Sequence, residues 1–163
     1  MIVVSNSSPL ISLAQIGHLD LLPALFGSVQ ISVEVYAEVA VAGRGRPGAH
    51  QVLHEEWILV ERTEPEMESG RLNPHLGLGE ASAIALAQRL KADLILLDDK
   101  PARRMAREAG LNVTGCIGVL EEAFRKGLLP DLRDAYAAMI RERAYISQRL
   151  LNTRLGQFGL PPI

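Results

Sequence analysis

Short apolar runs alternate along this chain with stretches whose apolar residues recur every three or four positions. The runs Ile2-Val3-Val4, Val29-Gln30-Ile31, Ile58-Leu59-Val60, Leu94-Ile95-Leu96-Leu97 and Val113-Thr114 predict strands. Between them the spacing predicts helices from about Pro9 to Ile16 and over Leu19–Leu25, Val33–Val41, Glu80–Leu90 and Pro101–Ala109. Asn6-Ser7-Ser8-Pro9 offers cap residues and a proline suited to a first helical turn, and Gly17 and Gly110 offer stops. The tail from Leu132 places Tyr136, Met139, Ile146 and Leu150 at helical spacing and predicts one long C-terminal helix, an extension over residues 131–163. Gly43 to Gly48, with three glycines and a proline, predicts a loop, and the acidic stretch Glu61 to Asn73 is poorly periodic.

Leu94 to Leu97 is apolar on both faces, as a strand must be in the middle of a parallel sheet with helices on each side. The β-α-β-α order with short joins predicts an α/β domain with a mainly parallel central sheet. Nothing repeats and no linker divides the chain, so one domain over residues 1–163 is expected.

At 163 residues and 48% apolar content, the chain can bury a core without metal or disulfide staples. Cys116 is the single cysteine and reads as a small buried side chain, with no histidine beside it in sequence. No apolar run approaches the ~18 residues of a membrane span, and Met1 leads directly into the first strand, so a cytoplasmic protein away from membranes is expected. Aromatic residues are only 4%, which disfavours a broad stacking platform for bases. A net charge of −2 argues at first against a nucleic-acid partner. The charges are divided, however: residues 1–100 hold 7 Lys and Arg against 13 Asp and Glu, and residues 101–163 hold 10 against 6.

In a parallel α/β sheet, functional side chains gather where strands end and helices begin. Asn6, Glu38, Glu80, Asp98 and Asp99 can all meet at that edge. Clustered carboxylates repel one another unless a cation or raised pKa values relieve them. Mg²⁺ and Mn²⁺ take oxygen ligands and activate water for phosphodiester hydrolysis, so a metal-assisted phosphoesterase is the chemistry these residue types suggest. Read singly, Asp98 and Asp99 also suit a helix cap, and Glu80 suits the first turn of a helix. His50 and His54 have the spacing of a helical metal pair but no third ligand nearby. P-loop, dinucleotide-binding and nucleophile-elbow glycine patterns are absent from the sequence.

Val3 to Ile11, Gly77 to Ile84, Ala92 to Lys100 and Val113-Thr114-Gly115 occur in the order seen in PIN-domain proteins, which this chain resembles. The likeness is to a prokaryotic subgroup similar to the toxin ribonucleases of toxin–antitoxin pairs, and extends through Tyr145-Ile146-Ser147. It implies a three-layer α/β/α sandwich, a Mg²⁺ or Mn²⁺ site of acidic residues and cleavage of single-stranded RNA. Carried over by position, the acidic ligands fall on Asn6, Glu38, Glu80 and on Asp98 or Asp99. Ser8 and Thr114 match polar positions at the same edge. Lys100, Arg103, Arg104 and Arg107 follow the aspartates and are candidate contacts to RNA phosphates. Asn6 departs from the family's usual aspartate, keeping an oxygen ligand but removing a negative charge. That departure allows either an active nuclease or a weak or inactive PIN-like module that binds nucleic acid or protein. A small antitoxin with a basic side chain and a second copy of the chain are the protein partners that the resemblance implies.

Overall fold

The structure, a computed structural model, describes residues 1–45, 49–62, 76–142 and 146–163. Among these, strands β1 (Val3–Ser5), β2 (Val29–Ser32), β3 (Ile58–Glu61), β4 (Leu94–Leu96) and β5 (Val113–Thr114) form one parallel sheet in the order β3-β2-β1-β4-β5. Successive side chains of a strand point to opposite faces. Val3 and Val4 are both buried, as are Ile95 and Leu96, so both faces of the sheet are covered and the molecule is an α/β/α sandwich.

The helices are α1 (Ser7–Gln15), α2 (Leu21–Phe26), α3 (Val33–Ala42), α4 (Leu78–Leu90), α5 (Lys100–Glu108), α6 (Cys116–Arg125), α7 (Leu132–Arg141) and α8 (Gln148–Gln157). The apolar spacing predicts the first five to within a few residues, and α6 is an element it does not predict. The expected loop from Gly43 is partly helical, with 3-10 turns at Gly43–Gly45 and Ala49–His54, while 46–48 lie outside the described residues. Residues 63–73 of the acidic stretch, and 74–75 after it, also lie outside them.

The single long helix expected from Leu132 is instead α7 and α8. Ser147 caps the second by accepting a hydrogen bond from the Leu150 N–H at 3.3 Å, and a cap of this kind starts a new helix rather than continuing an old one. A buried carboxylate joins α8 to the sandwich. Glu121 on α6 is 2% exposed; its Oε1 accepts from Tyr136 Oη of α7 at 2.8 Å and from Arg154 Nε of α8 at 2.6 Å, and its Oε2 accepts from Arg154 Nη2. Burial alone would raise the Glu121 carboxyl, but its bonds from Arg154 and Tyr136 outweigh that and hold it below the ordinary value. The Phe124 and Phe158 rings meet edge to face at 5.6 Å beside this group.

Candidate active site

Asn6 is the N-cap residue of α1, and its backbone N–H extends the β1–β4 ladder by donating to the Leu96 carbonyl at 3.0 Å. Its side chain makes no cap bond. The residue is 3% exposed, and Oδ1 has no hydrogen-bond partner among the described residues. A buried amide oxygen without a donor is costly, by about 1–3 kcal/mol, unless something binds it.

Glu38 on α3 uses both carboxylate oxygens within the protein. Oε2 accepts from Ser7 Oγ at 2.8 Å and Oε1 from the Gly79 N–H at 3.0 Å, so one side chain ties the starts of α1 and α4 together. Gly79 is required by this contact: a Cβ built there would overlap the Glu38 carboxylate. Ser82 reinforces the arrangement, donating to the Gly79 carbonyl at 2.8 Å and meeting Ser32 Oγ at 2.7 Å. Ser8, the polar position expected at this edge, is exposed, and Ser7 makes the contact.

The frame presents Glu80, one residue further along α4. Burial raises its carboxyl first, then the charges of Asp99 and Glu38 push it further, against a hydrogen bond from the Gly77 backbone. Asp98, just past β4, is half-buried, and its Oδ1 accepts from the Cys116 N–H at 2.7 Å. Burial raises this carboxyl too, with the Cys116 bond and the Arg103 charge opposing. Asp99 has turned to cap α5, accepting from the Ala102 N–H at 3.0 Å while its charge still acts on Glu80. The cap reading therefore holds for Asp99, and Asp98 is the aspartate anchored across to α6.

The structure thus brings Asn6, Glu38, Glu80, Asp98 and Asp99 to the carboxyl end of β1 and β4. Among the described residues no three His, Cys, Asp or Glu side chains converge tightly enough to form a ready metal cage. Three features nevertheless suit a hard cation at this edge: the orphaned Asn6 oxygen, and Glu80 and Asp98 held in conditions that disfavour their charge. Cys116 is 1% exposed, and burial followed by the Asp98 charge pushes its thiol well up, which leaves it an inert core residue.

Of the cationic candidates, Lys100, Arg104 and Arg107 are exposed, and Arg104 pairs with Glu108 at 3.2 Å. Arg103 is half-buried and faces Asp98. Thr114 packs its hydroxyl on Gly118, where any side chain would overlap it. His50 and His54 are exposed, with Nε2 atoms 3.1 Å apart, on the 3-10 turn at Ala49–His54.

Gly115 supplies a direct test of the Asp98 geometry. Its backbone conformation suits any residue, but a Cβ there would lie 2.7 Å from Asp98 Oδ1 and 3.0 Å from the Leu97 carbonyl. Gly115→Ala is expected to displace Asp98 and lower divalent-metal affinity about tenfold. Isothermal titration with Mn²⁺ checks this, and equal affinity in the variant would show that Asp98 need not sit where it does.

The chain matches the family DUF3368, a PIN domain, over residues 2–160. It belongs to the PIN-domain family. No curated protein matches it at a significant level. Among solved structures this PIN domain is similar to a PilT N-terminus domain protein, SSO1118, from the hyperthermophilic archaeon Sulfolobus solfataricus P2. The TM-score is 0.59 at 17% identity, covering 76% of this chain and 93% of the other. That likeness supports the fold. PIN domains are generally dependent on a divalent metal, and the acidic edge of this one has the oxygen donors such an ion needs.

Proposed function

We propose that this PIN domain is a divalent-metal-dependent endoribonuclease of single-stranded RNA. The observation that carries the reading is the juxtaposition, at one sheet edge, of the unpartnered Asn6 oxygen with Glu80 and Asp98, two carboxylates that burial keeps from comfortable ionisation. Asn6, Glu80 and Asp98, with Asp99 beside them, are the residues that would hold Mg²⁺ or Mn²⁺. A bound ion of this kind polarises a phosphoryl oxygen and lowers the pKa of its water. The chain's own contribution is placement. Glu38 spends both oxygens fixing the starts of α1 and α4, which makes it a positioning residue for Asn6 and Glu80. The Cys116 N–H fixes Asp98, and Asp99 adds negative charge beside Glu80 without leaving its cap.

The toxin role in a toxin–antitoxin pair is the finer part of this reading. An open apolar groove of about 530 Å³, lined by Val33, Glu34, Ala37, Glu38, Val41 and Leu78, supports it. Such a groove suits an apolar peptide with a basic side chain directed at the acidic edge.

Asn6 favours a second reading, a module that binds nucleic acid without cutting it, because a neutral ligand weakens the attraction for a cation. Incubating clean protein with labelled single-stranded RNA separates the two. Cleavage is expected with Mn²⁺ and none with EDTA, and Mn²⁺ is expected to raise the melting temperature by mass action. RNA that stays intact at saturating Mn²⁺ would leave only the binding module.

A further inference from the structure

The cations near the acidic edge are not equivalent. Arg104 is 82% exposed and paired with Glu108, whereas Arg103, on the same turn of α5, is half-buried. Arg103 has no carboxylate within ion-pair distance among the described residues. Its Nη1 lies 3.3 Å from the point a Cβ on Gly115 would occupy, and the same point lies 2.7 Å from Asp98 Oδ1. Arg103 and Asp98 therefore share the space that Gly115 leaves open. The Arg103 charge acts on the Asp98 carboxyl, as a charge roughly 4–6 Å away does. They form no ion pair, and Asp98 Oδ1 accepts instead from the Cys116 N–H.

A guanidinium held part-way into a protein loses hydration and rotamer freedom, and without a partner it recovers neither. The missing partner is an anion. Asp98 cannot fill that role from its present position, and the planar fork of arginine matches two oxygens of a phosphate. The fork lies over the bare backbone of Gly115, beside the Leu97 carbonyl, at the end of β5, and this is the face a polymer's backbone would approach.

We propose that Arg103 is a phosphate anchor. It grips a backbone phosphate of single-stranded RNA at the β5 end of the edge, next to the phosphate that faces Glu80 and Asp98. This rests on the nuclease reading and adds a direction to it: the strand crosses from β5 toward the start of α4.

The test is RNA binding rather than cleavage. Fluorescence anisotropy of a short labelled single-stranded RNA, in Ca²⁺ and over a KCl series, gives affinity and its salt slope for wild type, Arg103→Ala, Arg103→Lys and Lys126→Ala. Arg103→Ala is expected to bind about tenfold more weakly and to lose roughly 0.7 from the slope, the share of one phosphate contact on a single strand. Arg103→Lys restores the slope but only part of the affinity, because a point charge lacks the fork. Lys126→Ala, which removes the same charge at the far end of α6, leaves the slope unchanged. If Arg103→Ala keeps both affinity and slope while wild type binds, Arg103 only shields Asp98, and the nuclease reading survives without the anchor. If wild type itself does not bind RNA, the nuclease reading falls and the anchor with it.

Discussion

Glu80→Gln is expected to lower RNA cleavage by about a hundredfold to a thousandfold while leaving the melting temperature at neutral pH equal or higher. The two effects have one origin. Burial and the neighbouring charges of Asp99 and Glu38 raise the Glu80 carboxyl in the folded protein. A raised group binds its proton more tightly when folded than unfolded. Its stabilising contribution is complete below the unfolded value of 4.5 and is lost as pH rises through the folded value. At pH 7 the ionised side chain is therefore a cost to folding, one a cation would offset and an amide would remove. Asp98, raised mainly by burial, works in the same direction, and Asp98→Asn should follow Glu80→Gln. Single-turnover cleavage in Mn²⁺ and thermal melts from pH 5 to 8 read both effects. A variant that cuts normally would remove Glu80 from the site. One that melts well below wild type at neutral pH would make Glu80 a structural residue.

The opposite pattern is expected at Glu121. Arg154→Ala should destabilise the protein by about 3 kcal/mol, because it leaves a carboxylate that is 2% exposed without its bidentate partner. In a chain of this length that is a fall of roughly 10 °C in melting temperature. Glu121→Gln should cost less, since it removes the charge together with the need for its partner. The wild-type carboxyl is held low, so its contribution is present above the unfolded value of 4.5 and is lost as pH falls through the folded value. Arg154→Ala should erase that acid-side loss. Urea titrations at pH 4 and pH 7 measure it, and a loss under about 1 kcal/mol at pH 7 would show that Tyr136, water and Arg125, 3.9 Å away, satisfy Glu121 without Arg154.

Much of the fold was legible because its signals are local. Leu94 to Leu97 announces a central strand by being apolar on both faces, and Ala83, Ile84, Ala87 and Leu90 announce the buried face of α4. The break between α7 and α8 was harder, since apolar residues at helical spacing continue across it and only Ser147 marks the restart. At the site, residue types and strand ends located Asn6, Glu80 and the aspartates. Their division of labour was not readable, because it depends on bonds between residues far apart in sequence. Nothing near Glu38 shows that its carboxylate will meet Ser7 and Gly79, and nothing near Asp98 shows that the Cys116 N–H will claim it rather than Asp99. The same distance hides Arg154 from Glu121.

The strand order carries a consequence for synthesis. β1 leaves the ribosome first yet sits in the middle of the sheet, and its neighbour β4 begins only at Leu94. Parallel pairing across so long a stretch is slow, since the loop must close before any contact rewards it. The acidic edge waits longer still, for Asp98 is not oriented until Cys116 has emerged to donate to it. A ribosome translating this message therefore carries an incomplete acidic edge until Cys116 has cleared it, and the sheet and its edge are completed together rather than strand by strand.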